Sequence, residues 1–188
     1  MREIRTIAVI GAGPVGREIA YAALRGGYRT VLEDVLPEML EAGVAYIREG
    51  LEDAVGRNIL TPEQKARALE NLSTARSVED ACRAADLLIE ALADEMELKL
   101  EIFTLFDKFG LPGAIFASNT SSLPIAEIAA ITFQAENCIG MRFPRSAPNT
   151  ETLEIVRARE TSDETVAACV EVGRRMGKEV VVLEESTS

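Results

Sequence analysis

Residues 8–16 read Ala-Val-Ile-Gly-Ala-Gly-Pro-Val-Gly, and the reading of that stretch decides the fold. The apolar run Ile7 to Ile10 predicts a buried strand, and Arg17 to Leu24 opens a helix. Between them Gly11, Gly13 and Gly16 form a G-x-G-x-x-G turn that contains Pro14 and Val15. Gly11 permits the tight turn, Gly13 lets the backbone approach a pyrophosphate, and Gly16 lets the helix pack close on the sheet. The positive N-terminal end of that helix then faces the phosphates. The next apolar strand, Thr30 to Leu32, ends at Glu33-Asp34. A carboxylate about 20 residues beyond the glycines suits a ribose 2′-hydroxyl and repels a 2′-phosphate, so the pattern points to NAD over NADP.

With 188 residues the chain suits one domain around one core. It is 47% hydrophobic and 27% charged, the balance of a globular protein and not of a disordered one. A net charge of −11 disfavours nucleic acid and anionic membrane as partners, and gives a polyanionic substrate no long-range help. No run is long and apolar enough to span a membrane, and no signal peptide is read, so a cytoplasmic location is expected. Cys82, Cys138 and Cys169 are widely and irregularly spaced, which suggests neither a disulfide framework nor a metal site. The chain has no histidine, which removes the commonest general base and the commonest metal ligand together.

Strands and helices alternate along the chain, which predicts an α/β fold with a doubly wound, mostly parallel sheet. Glu38 to Gly56 is apolar at helical spacing, and Thr61-Pro62-Glu63-Gln64 reads as a second helix start, with Thr61 as N-cap. Together they predict a helical hairpin inserted at about residues 37–72, more than a plain crossover needs. Ser77 starts a short helix, Asp86 to Leu92 is a strand, and Glu95 to Phe109 is a helix. Gly113 to Ser118 is the next strand and closes in Asn119-Thr120-Ser121-Ser122. Cys138 to Phe143 and Thr152 to Val156 read as further strands. Ser162 caps a helix that Gly177 ends, and Val180 to Leu183 is a last strand.

Beyond the glycine turn, the chain resembles the NAD-binding domain of the L-3-hydroxyacyl-CoA dehydrogenase family. The resemblance is carried by Ala85-Asp-Leu-Leu-Ile-Glu-Ala-Leu, Glu97-Leu-Lys-Leu-Glu-Ile-Phe, Ser118-Asn-Thr-Ser-Ser-Leu, Ile139-Gly-Met-Arg-Phe, Leu153-Glu-Ile-Val and Met176-Gly-Lys-Glu-Val-Val-Val. These stretches occur in the family's order over essentially the whole chain. The resemblance implies a Rossmann-type sheet in which Asp34 holds the adenosine ribose. It counts Ala91 among the cofactor-binding residues and places Asp94 (where the family usually has glutamate), Lys99 and Asn119 near the nicotinamide half of the cofactor. It also gives Ser121 a hydroxyl that bonds the reacting oxygen. Read as local structure alone, Asn119-Thr-Ser-Ser is a cap leading into Pro124, and Lys99 a solvated helix lysine paired with Glu95.

Two departures stand out. The family's catalytic histidine begins a His-Phe-Phe-Asn-Pro segment, whereas this chain has Arg142-Phe143-Pro144-Arg145-Ser146-Ala147-Pro148. Arg142 takes the histidine position and Arg145 that of the asparagine, while Glu154 matches the glutamate that orients the histidine. Arginine stays protonated to about pH 12 or beyond and cannot take the hydroxyl proton of an alcohol. An Arg142–Glu154 salt bridge is the expected consequence, and Arg142 with Arg145 could instead grip a substrate carboxylate. The second departure is the ending at Ser188, near where the family continues into a helical domain that closes the acyl side. Uncovered apolar surface, self-association or a separate helical partner is the corresponding expectation. By resemblance the substrate is an acyl-CoA, and the hairpin covers its coenzyme A through basic residues. Here acidic residues outnumber Arg48, Arg57, Lys65 and Arg67 on that hairpin, which makes such a clamp doubtful.

Overall fold

The computed structural model describes residues 2–144 and 151–185. The apolar run of the opening stretch becomes β1 (Thr6–Ile10), which leads into α1 (Pro14–Arg25) and β2 (Arg29–Glu33). The hairpin follows as α2 (Pro37–Gly56) and α3 (Pro62–Glu70). Thr61 starts α3 with a reciprocal capping box, its hydroxyl accepting from Gln64 N while the Gln64 side chain accepts from Thr61 N. The chain continues through β3 (Leu72–Ala75), α4 (Val78–Cys82), β4 (Leu87–Glu90), α5 (Met96–Phe109) and β5 (Ile115–Ser118). A short α6 (Ile125–Ala129), β6 (Cys138–Arg142), β7 (Thr152–Arg157), α7 (Asp163–Arg175) and β8 (Glu179–Glu184) complete it. Ser77 and Ser162 cap α4 and α7, and Gly177, at φ 77°, turns the chain out of α7.

The eight strands form one sheet in the order β3-β2-β1-β4-β5-β6-β7-β8. Pairs from β3 across to β6 are parallel, β7 runs antiparallel to β6, and β8 is parallel to β7. One core lies under α1, α2 and α7 and includes Ile7, Val9, Leu32 and Met141. The other lies under α4, α5 and α6 and includes Ala8, Ile10, Leu88 and the ring cluster Phe103, Phe106 and Phe116. The chain reverses direction across the sheet between β1 and β4, the switch point where an open α/β sheet receives ligands. There Ala91 N donates to Ile10 O at 2.9 Å, and Gly11 N donates to Glu33 O at 2.9 Å.

Two elements escape the sequence reading. β3 is a four-residue edge strand with little apolar character, formed by pairing with β2, so the inserted hairpin ends at Glu70 and not at Leu72. α6 has no side-chain cap of its own; the Glu185 carboxylate accepts from Ile125 N and Ala126 N across the fold. The hairpin's basic residues Arg57 and Lys65 are paired with Asp53 and Glu52. On β8, the outermost strand, Val181, Val182 and Leu183 are exposed. Among the described residues no helix is long and apolar enough to cross a membrane. Cys82, Cys138 and Cys169 are buried free thiols, each pushed up to about 12 chiefly by burial.

Candidate functional site

The glycine turn lies where β1 gives way to α1. Gly11 has a φ of 101°, and a Cβ there would sit 2.8 Å from the Leu92 side chain. A Cβ on Gly16 would lie 1.7 Å from the Gly11 carbonyl oxygen, so only glycine lets α1 approach β1 this closely. Gly13 differs, because a Cβ there meets nothing within 4 Å and the space before the turn is open. Pro14 occupies the first turn of α1, and Gly13 caps it without a side chain. Among the described residues the N–H groups of Gly13, Val15 and Gly16 find no protein acceptor. Unpartnered helix N–H groups facing open space fit a diphosphate.

The structure separates the two acids that the sequence leaves side by side. Asp34 is held at the turn, its Oδ2 accepting from Ala12 N and its Oδ1 from Leu36 N, each at 2.9 Å. These bonds hold the Asp34 carboxylate beside the glycine turn. Glu33, the last residue of β2, is 2% exposed and lines a cleft of about 400 Å³ in whose wall Asp34 also stands. Burial first, and then the neighbouring Asp34 charge, push the Glu33 carboxyl up to about 7.

A second cluster gathers at the ends of β4 and β5. Lys99, on α5, is buried and its Nζ donates to Glu90 Oε1 at 2.7 Å and to Leu92 O at 3.1 Å, with Asp94 Oδ1 at 3.9 Å. The solvated pairing with Glu95 is thereby excluded. Glu90 also accepts from Ser118 Oγ at 2.7 Å and from Leu92 N. Asp94 Oδ2 receives the Ser121 and Ser122 hydroxyls, each at 3.0 Å, and Ser121 N at 3.2 Å. Partial burial works to raise the Asp94 carboxyl, but hydrogen bonds from Thr120, Ser121 and Ser122 outweigh it and hold it below its usual value. With its hydrogen directed at Asp94, the exposed Ser121 Oγ keeps lone pairs for an incoming hydroxyl. Asn119 Oδ1 accepts from Phe143 N at 2.9 Å, tying the end of β5 to that of β6. The Asn119-Thr-Ser-Ser stretch is therefore not a cap for α6, whose start is bonded by Glu185.

Arg142 corrects one expectation. It lies directly opposite Glu154 in the antiparallel β6–β7 register, yet no Arg142–Glu154 ion pair forms among the described residues. Its side chain leans toward the other neighbouring strand, and Nε donates to Thr120 O at 2.9 Å, one residue before Ser121. That carbonyl, left over at the end of β5, competes successfully for the guanidinium. Arg145 and Pro148 lie outside the described residues. Sequence reasoning gave no role to Glu90 or Ser118, which hold the second cluster together. The available signal was a lone glutamate inside the otherwise apolar Leu87-Leu-Ile-Glu-Ala-Leu.

A glycine turn open to a diphosphate, a carboxylate at the ribose position and polar groups across the switch point define a dinucleotide-binding domain of the dehydrogenase type. The family described as 3-hydroxyacyl-CoA dehydrogenase, NAD binding domain, matches residues 6–186. The chain belongs to that family, and NAD is its cofactor. It is 37% identical over 179 residues to a probable 3-hydroxybutyryl-CoA dehydrogenase of Bacillus subtilis, covering 95% of this chain and 62% of the relative. It is 32% identical over 184 residues to the mitochondrial hydroxyacyl-coenzyme A dehydrogenase of Rattus norvegicus, covering 95% of this chain and 58% of the relative. The crystal structure of 3-hydroxybutyryl-CoA dehydrogenase from Escherichia coli superposes with a TM-score of 0.91 at 32% identity, over 97% of this chain and 39% of that one. The chain thus spans less than two thirds of the length of the relatives it matches.

Proposed function

We propose that this chain binds NAD(H) in the manner of a 3-hydroxyacyl-CoA dehydrogenase, retains the hydride side of that chemistry and lacks the proton-transfer side. NAD, when bound, supplies the hydride acceptor. Gly11, Gly13, Pro14, Val15, Gly16 and Asp34 hold its adenosine diphosphate half. Ala91, Asp94, Lys99 and Asn119 frame the nicotinamide end, and Ser121 receives the reacting oxygen of a small-molecule substrate, an acyl-CoA in this reading. Arg142 carries the conclusion, because a guanidinium beside Ser121 holds its proton where the reaction needs a base, and Glu154 is left without a histidine to orient. General acid–base catalysis contributes about 10²–10⁴-fold, so turnover by this chain alone is expected to be feeble. The setting is cytoplasmic, and the acyl side of the cleft belongs to a helical unit that the described residues do not include.

The test is NADH oxidation with acetoacetyl-CoA, with NADH fluorescence followed in the same sample. Enhanced fluorescence without turnover supports the reading; turnover at an ordinary dehydrogenase rate would refute it. A second reading has one observation in its favour. Among the described residues only Nε of the Arg142 guanidinium is engaged, which leaves its two terminal nitrogens for a substrate carboxylate, with Arg145 as a second donor. NADH oxidation by a 2- or 3-oxo acid that disappears in Arg142→Ala would favour it.

A further inference from the structure

We infer that Glu33 reads the adenine of the cofactor, its carboxylate accepting a hydrogen bond from the exocyclic amine. The inference rests on the assignment of NAD to this cleft and concerns a residue that the ribose-binding and phosphate-binding roles leave unused. Glu33 Oε1 is a buried oxygen with no hydrogen-bond partner. A buried acceptor of this kind is costly unless something donates to it. Glu33 and Asp34 both line the cleft of about 400 Å³, whose walls also include Ile10, Leu92, Leu98 and Ile102. A ribose held at Asp34 places the attached base one glycosidic bond further on, in front of these apolar walls. They suit the faces of a heteroaromatic ring, and among the ring substituents of adenine the amine is the only strong donor. The cleft thus offers an acceptor without a donor, and the base a donor in need of an acceptor.

Other charged groups around Glu33 are accounted for. Asp34 follows it directly in the chain and is bonded to two backbone N–H groups. Glu79, on α4, is paired with Arg83, and Arg76 and Glu101 stand in the cleft lining. Cys82, behind it on α4, is a buried thiol pushed up to about 12. None of them donates a hydrogen bond to Glu33 Oε1. Since Glu33 itself is pushed up to about 7, its charged and stronger acceptor form gains as pH rises through neutrality.

The experiment compares binding of NAD and nicotinamide purine dinucleotide, in which the amine is replaced by hydrogen, by calorimetry with the full chain. At pH 8 the wild type should bind NAD about tenfold more tightly, the worth of one hydrogen bond to a charged group. Its NAD affinity should also fall between pH 8 and pH 6. In Glu33→Leu both the preference and the pH dependence should vanish, through weaker NAD binding and not tighter binding of the analogue. Glu33→Leu removes an unsatisfied buried carboxyl, so its melting temperature should be no lower than that of the wild type. Asp34→Asn should weaken both dinucleotides alike. Equal binding of the two by the wild type, or a preference that survives Glu33→Leu, would overturn the role of Glu33 while leaving the cofactor assignment intact. Binding of neither would overturn both.

Discussion

Lys99 Nζ lies 2.7 Å from Glu90 Oε1, and the two side chains are 1% and 0% exposed, so helix α5 is pinned to the end of strand β4 by a fully buried ion pair. Leu92 N donates to the same Glu90 oxygen and Ser118 Oγ to the other, and Leu92 O takes another Lys99 hydrogen. The pair therefore fixes the segment that carries Asp94, which in turn holds Ser121 and Ser122. Removing one member leaves the other charged and buried, which typically costs 3–5 kcal/mol, whereas replacing both with apolar groups is often neutral. Lys99→Met should accordingly lose about 3–5 kcal/mol in urea denaturation, and adding Glu90→Leu should recover only part of it, because Ser118 Oγ and Leu92 N then lack their acceptor. A single variant as stable as the wild type would show that the pair does not hold this corner.

The glycines of the turn separate into a structural and a ligand-facing class. A Cβ at Gly16 would lie 1.7 Å from the Gly11 carbonyl oxygen, so Gly16→Ala must push α1 off β1 and lower stability. At Gly13 a Cβ meets nothing within 4 Å, and the residue stands at an N-cap. Alanine there should cost about 1 kcal/mol or less in stability. The same methyl group would occupy the space before the unpartnered N–H groups, so Gly13→Ala should weaken NAD binding at least tenfold. Thermal melting and calorimetric titration of both variants check the contrast.

Glu33 sets a pH dependence of stability with an unusual sign for a carboxylate. Its folded value of about 7 lies above its ordinary 4.5, so the folded state binds the extra proton. The contribution is fully present below pH 4.5 and is lost as pH rises through about 7. Glu33→Leu should flatten the fall in stability over this window, gaining at most about 3 kcal/mol on the wild type at pH 8. Chemical denaturation at pH 5, 6, 7 and 8 measures it.

What the sequence disclosed was local. The glycine turn, the caps at Thr61, Ser77 and Ser162 and the alternation of strands and helices are set by residues within a few positions of one another. Lys99 was less legible because helix spacing offers Glu95 as its partner, while the actual partner sits on a strand reached only after α5 docks. β3 was invisible for a related reason, since Leu72-Ser-Thr-Ala acquires strand structure by pairing with β2 and not from its own pattern. The family resemblance implied that Arg142 and Glu154 meet, but not the choice of Thr120 O over the carboxylate. That choice depends on which backbone oxygen is left over at the end of β5. The resemblance singled out Asp34, but the burial of Glu33 and its unpartnered oxygen appear only in the folded chain.

The same geometry makes Arg142→His the most informative substitution. Position 142 faces Glu154 across the β6–β7 pair and lies beside the loop that carries Ser121, so an imidazole there would stand between an orienting carboxylate and the reacting oxygen. A neutral imidazole can take the hydroxyl proton that a guanidinium cannot, and Glu154 would stabilise the cation that results. Loss of the Arg142–Thr120 bond should cost about 1 kcal/mol, too little to unfold the domain. If proton transfer is the missing half of the reaction, Arg142→His should raise NADH oxidation with acetoacetyl-CoA by about 10²-fold or more, with a rate that depends on one ionisation near neutrality. Adding Glu154→Gln should remove most of that gain while leaving NADH binding unchanged. An Arg142→His variant that binds NADH normally and remains silent would locate the defect elsewhere, on the acyl side of the cleft.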